Sequence, residues 1–158
     1  MVSDRKKEER GFEIQRLKKS DVKKMRKLNE VFAFAFEDMD THLGKPSSDT
    51  YLRSLLKKSD FIALIAIIEE EVVGGLVAYV LEKYEQERSE VYLYDLAVSE
   101  KYRRQGIARS LILSLKKIAL EIGSYVIFVQ ADREDEPAIQ FYRSLGKQEE
   151  PLHFDILI

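Results

Sequence analysis

The sequence predicts an α/β fold built on a largely antiparallel sheet, with one strand–helix–strand unit in its second half. Three observations carry that expectation. The apolar runs "FIALIAII" (61–68), "VVGGLVAYVL" (72–81) and "SEVYLYDLAV" (89–98) read as strands, the first two joined through a short acidic turn as a hairpin. From Gly106 the apolar residues recur every three or four positions, which is a helical face. A further apolar run, "YVIFVQA" (125–131), follows that helix and should therefore lie parallel to 89–98.

The remaining elements follow in order. "FEIQRL" (12–17) alternates as a short strand, and Ser20 stands where an N-cap belongs, before a helix through Met25, Leu28 and Val31 to the aromatic cluster "FAFAF" (32–36). "LGKPSSDT" (43–50) is a loop by composition, and Ser47 or Ser48 can cap a second helix through Tyr51, Leu52, Leu55 and Leu56. The third helix carries Ile107, Ala108, Leu111, Ile112, Leu115, Ile118, Ala119 and Ile122 on one face and closes at Gly123. A last helix starts near "DEPA" (135–138) and ends at Gly146, and "PLHFDILI" (151–158) is expected to complete the sheet as a final strand. No internal repeat or low-complexity segment interrupts the chain.

The bulk numbers fit one domain over residues 1–158, with 1–10 as a flexible N-terminal tail. A chain of 158 residues, 45% hydrophobic and 34% charged, with no run of 18 apolar residues, reads as soluble and globular, with no membrane partner. No cysteine is present, which excludes disulfides, thiolate metal sites and a cysteine nucleophile. With no apolar stretch behind the charges of "MVSDRKKEER", a cytoplasmic location is expected. The first 30 residues hold eleven Lys or Arg against six Asp or Glu, so the rest of the chain is net acidic. That distribution argues against nucleic acid as a partner and for cations.

The junction "KYRRQGIARS" (101–110) carries the clearest chemistry. A helix begins with unpaired N–H groups and the positive end of its dipole, a ready anion site. Gly106 lets a ligand oxygen approach the backbone, Ala108 keeps the next turn open, and N–H groups from Arg104 through Gln105 and Ile107 to Ala108 can form a concave nest. Arg103, Arg104 or Arg109 would add charge-assisted contacts, so the junction suits a pyrophosphate. Neither a GxxxxGK[ST] loop nor a GxGxxG after the first strand is present.

The spacing Arg103-x-x-Gly106-x-Ala108 resembles the acyl-coenzyme A pyrophosphate motif, [RQ]-x-x-G-x-[GA], of the GNAT superfamily of N-acetyltransferases, in the same strand–turn–helix context. "DEPAIQFYRSLG" (135–146) looks like that superfamily's late motif. From about Asp49 to Ile156, through "RSEVYLYDLAV", "RRQGIA", "YVIFVQAD" and "HFDI", the chain is similar to the aminoglycoside 3-N-acetyltransferases, which inactivate gentamicin-type antibiotics. The resemblance implies a GNAT fold with a mixed, mostly antiparallel twisted sheet of about six to seven strands and about four flanking helices. It also implies an acetyl-CoA-dependent enzyme of the antibiotic-resistance type, using no metal.

Site residues follow from the resemblance, beside what each residue suggests by itself. Asp95 is out of place in an apolar strand; it coincides with the family's proposed catalytic Asp, the alternative being a carboxylate bonded to backbone at a bulge. N–H groups around Leu96, Ala97 and Val98 would stabilise the oxyanion, provided the strand's own hydrogen bonds are locally broken. Tyr142 matches the superfamily's general acid, or else is a core tyrosine beside Ala138, Phe141 and Leu145. Asp135 stands where many relatives have Asn at the cap of the helix, and it lies with Ala138 on the cofactor side. For a polycationic acceptor the candidate carboxylates are Asp38, Asp40, Glu82, Asp132, Glu134 and Asp155, with the pair Glu149 and Glu150. His42 and His153 are too isolated for a metal site. The rival readings are a GNAT enzyme for a polyamine, peptide or protein lysine, and a non-catalytic acyl-CoA-binding module. The final "FDILI" suggests an edge covered by a second subunit, a homodimer.

Overall fold

The computed structural model describes residues 11–158, so the tail expected over 1–10 lies outside the described residues. The sheet runs in the order β1 (Glu13–Arg16), β2 (Phe61–Ile68), β3 (Glu71–Glu82), β4 (Ser89–Val98), β5 (Ser124–Val129). The first four strands are antiparallel in sequence, and β5 joins β4 in parallel. The parallel pairing follows from helix α3 (Ile107–Glu121), which carries the chain back across the sheet between them. Helices α1 (Val22–Ala35), α2 (Asp49–Lys57) and α4 (Glu136–Arg143) complete the frame.

Alternation along β2 explains why its run is apolar without a break. Phe61, Ala63 and Ile65 face one core with Met25, Leu28 and Phe32 of α1 and Leu52 and Leu56 of α2. Ile62, Leu64 and Ala66 face a second core with Ile107, Leu111, Leu115 and Ala119 of α3. An antiparallel strand covered by helices on both faces loses its polar side. The hairpin to β3 turns at Glu69 and Glu70, both with positive φ (47° and 68°), the geometry of a tight two-residue turn that suits the twist of its strands.

Several local signals hold. Ser48 caps α2 by accepting from Tyr51 N–H at 3.1 Å, and Asp135 caps α4 by accepting from Ala138 N–H at 3.1 Å. Gly123 follows α3 with φ +76°. Two expectations are corrected. Asp21, not Ser20, is the first flanking residue of α1, and its carboxylate accepts from Lys18 N–H at 2.8 Å. The final strand is absent: residues 151–158 join no ladder, and the described sheet has five strands, not six or seven. Alternating apolar residues supply a strand's faces, but a strand also needs a neighbouring edge for its N–H and C=O groups, and this segment lies against none.

Candidate active site

The site forms where β4 and β5 part. Their parallel pairing runs from Ser89 opposite Ser124 to Leu93 opposite Val129 and stops there. Beyond it, β4 continues against β3 alone, with Leu96, Ala97 and Val98 opposite Leu76, Gly75 and Gly74. Backbone groups of this stretch that would have bonded β5 face a cleft, the local break in hydrogen bonding that an oxyanion site requires.

A bulge at the same point aims Asp95. Val77 lies opposite Asp95 but Ala78 lies opposite Leu93, so Tyr94 is the extra residue. Before the bulge, Val91 and Leu93 face the α3 core; after it, Val98 faces that core while Ala97 faces the α1 side. Without the extra residue Asp95 would point into the α3 core. With it, Asp95 comes to the α1 side, half-buried. Burial raises its carboxyl above the ordinary carboxylate value, and the one charge opposing that shift is His42. No hydrogen bond reaches the Asp95 carboxylate among the described residues, which sets aside the reading of a backbone-bonded carboxylate.

Tyr142 stands on α4 and packs against the α3 core. Burial first, then the charges of Asp135 and Asp95, push its phenol up to about 12. The hydroxyl is therefore protonated at neutral pH, and it lies within electrostatic reach of both carboxylates. A short π-helical turn, Asp40–Gly44, returns the chain so that His42 packs on Phe32 and Phe36 at 5.9 and 5.7 Å between ring centres. His42 Nδ1 lies 3.1 Å from the Asp38 carbonyl, and Asp38 itself accepts from Thr41 N–H at 3.1 Å, so that its carboxyl is held below the usual value chiefly by hydrogen bonding to Thr41.

An aromatic row continues this face across four strands: Phe61, Tyr79, Tyr94, Tyr92 and Phe128. Successive ring centres lie 4.6–5.6 Å apart, ending in a parallel stack of Tyr92 on Phe128. Tyr94 is 58% exposed and Tyr79 37%, so the row opens to solvent beside Asp95. Burial, then Tyr94, Tyr51 and Asp95, raise the Tyr79 phenol. Sequence reasoning missed these rings and His42. The flanking "YLYD" was a visible signal for the tyrosines, whereas the turn that delivers His42 left none.

On the other wall, the helix junction has the expected form. Arg104 and Gly106 both take positive φ (62° and 80°), and the first backbone bond of α3 runs from Ser110 N–H to Gly106 O at 3.0 Å. The N–H groups of residues 104–109 find no protein acceptor among the described residues. A Cβ built on Gly106 would meet nothing within 4 Å, so the backbone at this turn is open to approach from solvent. Arg103 Nε donates to Val98 O at 3.0 Å, tying the turn to the end of β4, while Gln105, Arg104 and Arg109 are exposed. Ile107 is buried, so it can offer only its backbone. These groups fit the pyrophosphate of coenzyme A. Gly106→Val should weaken acetyl-CoA binding about tenfold or more, since left-handed backbone costs a side chain about 1–2 kcal/mol. Calorimetric titration with CoA checks it.

Of the candidate carboxylates, Asp38 and Asp40 lie in the segment that carries His42, and Asp132 and Glu134 lie in the loop leading to Asp135. Glu82 pairs with Ser89, five residues and about 17 Å along β3 from the partner of Asp95. Asp155 sits on the exposed C-terminal segment, 2.8 Å from His153 Nε2, and Glu149 and Glu150 are exposed just before it. Among the described residues no group of three or more His, Cys, Asp or Glu is placed to hold a metal ion.

Residues 25–147 match the model of the acetyltransferase (GNAT) family. An aminoglycoside acetyltransferase from an uncultured soil metagenomic sample is 50% identical, superposes with a TM-score of 0.91, and is matched over 93% of this chain and 98% of its own. Another aminoglycoside acetyltransferase from an uncultured soil metagenomic sample, in complex with sisomicin, is 35% identical over 94% of this chain and 97% of its own, with a TM-score of 0.87. Rat (Rattus norvegicus) N-acetyltransferase 8B is 27% identical over 89 residues, 56% of this chain; the match spans 40% of that protein's length.

Proposed function

The chain belongs to the GNAT acetyltransferase family, and from that premise we propose that it transfers acetyl from acetyl-CoA directly to an amine of an aminoglycoside, the 3-amino group being the acceptor. The observation that carries this reading is the bulge at Tyr94, which turns Asp95, a carboxylate with no hydrogen-bond partner among the described residues, to the α1 face at the level where β5 leaves β4. The likeness to aminoglycoside acetyltransferases at 50% and 35% identity supports the acceptor class.

Acetyl-CoA supplies an acetyl group activated as a thioester. The open N–H groups of residues 104–109, with Arg104 and Arg109, hold its pyrophosphate. Asp95 accepts the proton that the acceptor ammonium must lose, and its raised basicity suits that work. N–H groups of Leu96 and Val98, on the side of β4 that β5 has left, stabilise the developing oxyanion, and Tyr142 Oη holds a proton for the departing sulfur. The N–C bond forms as the C–S bond breaks, with no covalent enzyme intermediate; the nitrogen loses its second proton as the amide forms, which offsets through solvent the one that Tyr142 gives to sulfur, so the products are amide, free thiol and the proton held by Asp95. Asp38, Asp40, Asp132 and Glu134 steer the polycation, and the open rings of Tyr79 and Tyr94 take its ammonium-bearing ring by cation–π contact. No described helix is long and apolar enough to cross a membrane, and we propose a cytoplasmic enzyme.

The regiochemical claim is checked by NMR of the gentamicin product. Acetylation shifts of the protons around the 3-amino carbon are expected. Shifts confined to the 6′ position would overturn the choice of amine and leave the acetyltransferase reading intact.

A further inference from the structure

The row of rings beside Asp95 is longer than one acceptor ring needs. Tyr79 and Tyr94 border the carboxylate, but the row continues through Tyr92, 5.5 Å from Tyr94, to Phe128, which lies 4.6 Å from Tyr92 and within 8° of parallel to it. The acetyl transfer uses neither of these last two rings.

Packing leaves this end of the row uncovered. Val91 and Leu93 of β4 and Ile127 and Val129 of β5 pack into the α3 core, so Tyr92, Val126 and Phe128 point to the α1 side. The core on that side takes in Ala97 of β4 and no residue of β5, so the cover that α1 and α2 give the sheet stops short of this face. Val126 is 39% exposed, and Tyr92 and Phe128 are only half-buried. Tyr92 Oη donates to Gln130 Oε1 at 2.7 Å, which fixes the exposed amide and leaves its nitrogen, with two N–H donors, without an acceptor among the described residues. An apolar ring pair with an amide donor at its rim matches a sugar ring, which carries C–H groups on its faces and hydroxyl oxygens around its edge. Asp132, two residues beyond Gln130, adds a carboxylate for an amino substituent.

We propose that Tyr92, Phe128 and Gln130 form a second sugar subsite, which holds a ring of the aminoglycoside other than the one whose amine is acetylated. The inference rests on the aminoglycoside reading above and says which acceptors the site prefers. The reacting ring lies by Tyr79, Tyr94 and Asp95, and because the row is unbroken, the ring joined to it by a glycosidic link reaches the Tyr92–Phe128 pair. The pair stands one ring further along the row than Tyr94, so it contributes to KM and to the choice among acceptors, not to the chemical step. Single-ring acceptors, and polyamines with no ring at all, leave it empty.

Tyr92→Leu and Phe128→Leu should each raise the KM for gentamicin about tenfold. In the same variants the Ki of 2-deoxystreptamine, a single ring bearing the same acceptor amine, measured as a competitor of gentamicin, should rise less than about twofold. The chain has no tryptophan, so Phe128→Trp supplies a fluorescent reporter that keeps an aromatic ring at this position. Its emission should shift when gentamicin is added to the CoA-bound protein and stay fixed with 2-deoxystreptamine. A gentamicin KM unchanged in both leucine variants, a 2-deoxystreptamine Ki that rises in step with it, or an emission that gentamicin does not move would overturn the subsite and leave the acetyltransferase reading intact. Absence of turnover with every aminoglycoside would instead overturn the acceptor assignment, and the subsite with it.

Discussion

Asp95→Asn lowers kcat/KM for gentamicin by about 10²–10⁴-fold while acetyl-CoA binds as before. The amide keeps the shape and polarity of the carboxylate but cannot accept the ammonium proton. The same substitution separates catalysis from stability. Burial raises the Asp95 carboxyl above its value in the unfolded chain, so holding it ionised costs the folded state free energy once pH exceeds the folded pKa. Below the unfolded value that cost vanishes. Asp95→Asn should therefore have a higher Tm than the wild type at pH 7, with the gap closing as pH falls through the Asp95 titration. Its acid limb follows the same group: the wild-type pH–rate profile should fall at a pH above the ordinary carboxylate value.

Tyr142→Phe should reduce kcat by about 10²-fold, with little change in the KM for either substrate. Burial and the carboxylates of Asp135 and Asp95 hold the phenol proton at neutral pH, so the hydroxyl acts as a donor and not as a phenolate. Phenylalanine keeps the ring's packing on the α3 core and removes that donor alone. Because no hydrogen bond to the Tyr142 hydroxyl forms among the described residues, its loss leaves no structural partner unsatisfied. A merely structural tyrosine would give equal rates in this variant, measured at saturating acetyl-CoA.

Much of the fold was legible because periodicity reports burial directly. The two-faced apolar runs of β2 and β4, the change of period at Gly106 and the caps at Ser48 and Asp135 each reflect a local requirement that a few residues satisfy. The glycine turn at the start of α3 was legible for the same reason, since Gly106 answers a left-handed backbone geometry. What could not be read depends on partners distant in sequence. The bulge at Tyr94 exists only in the register of β4 against β3, and the gap beyond Leu93 exists only because β5 departs there. His42 comes within electrostatic range of Asp95 by way of a π-helical turn that composition does not mark. The final strand was overread, because alternation in "PLHFDILI" reports a strand's faces and says nothing of which edge receives it.

The most direct test of the account is the rate of thiol release from acetyl-CoA by the purified protein with gentamicin, beside kanamycin, spermidine and a lysine peptide. The account predicts turnover with gentamicin that exceeds that with spermidine and the peptide and is lost in Asp95→Asn. Turnover confined to spermidine or the peptide would contradict the acceptor, and tight acetyl-CoA binding with no turnover on any amine would contradict the enzyme.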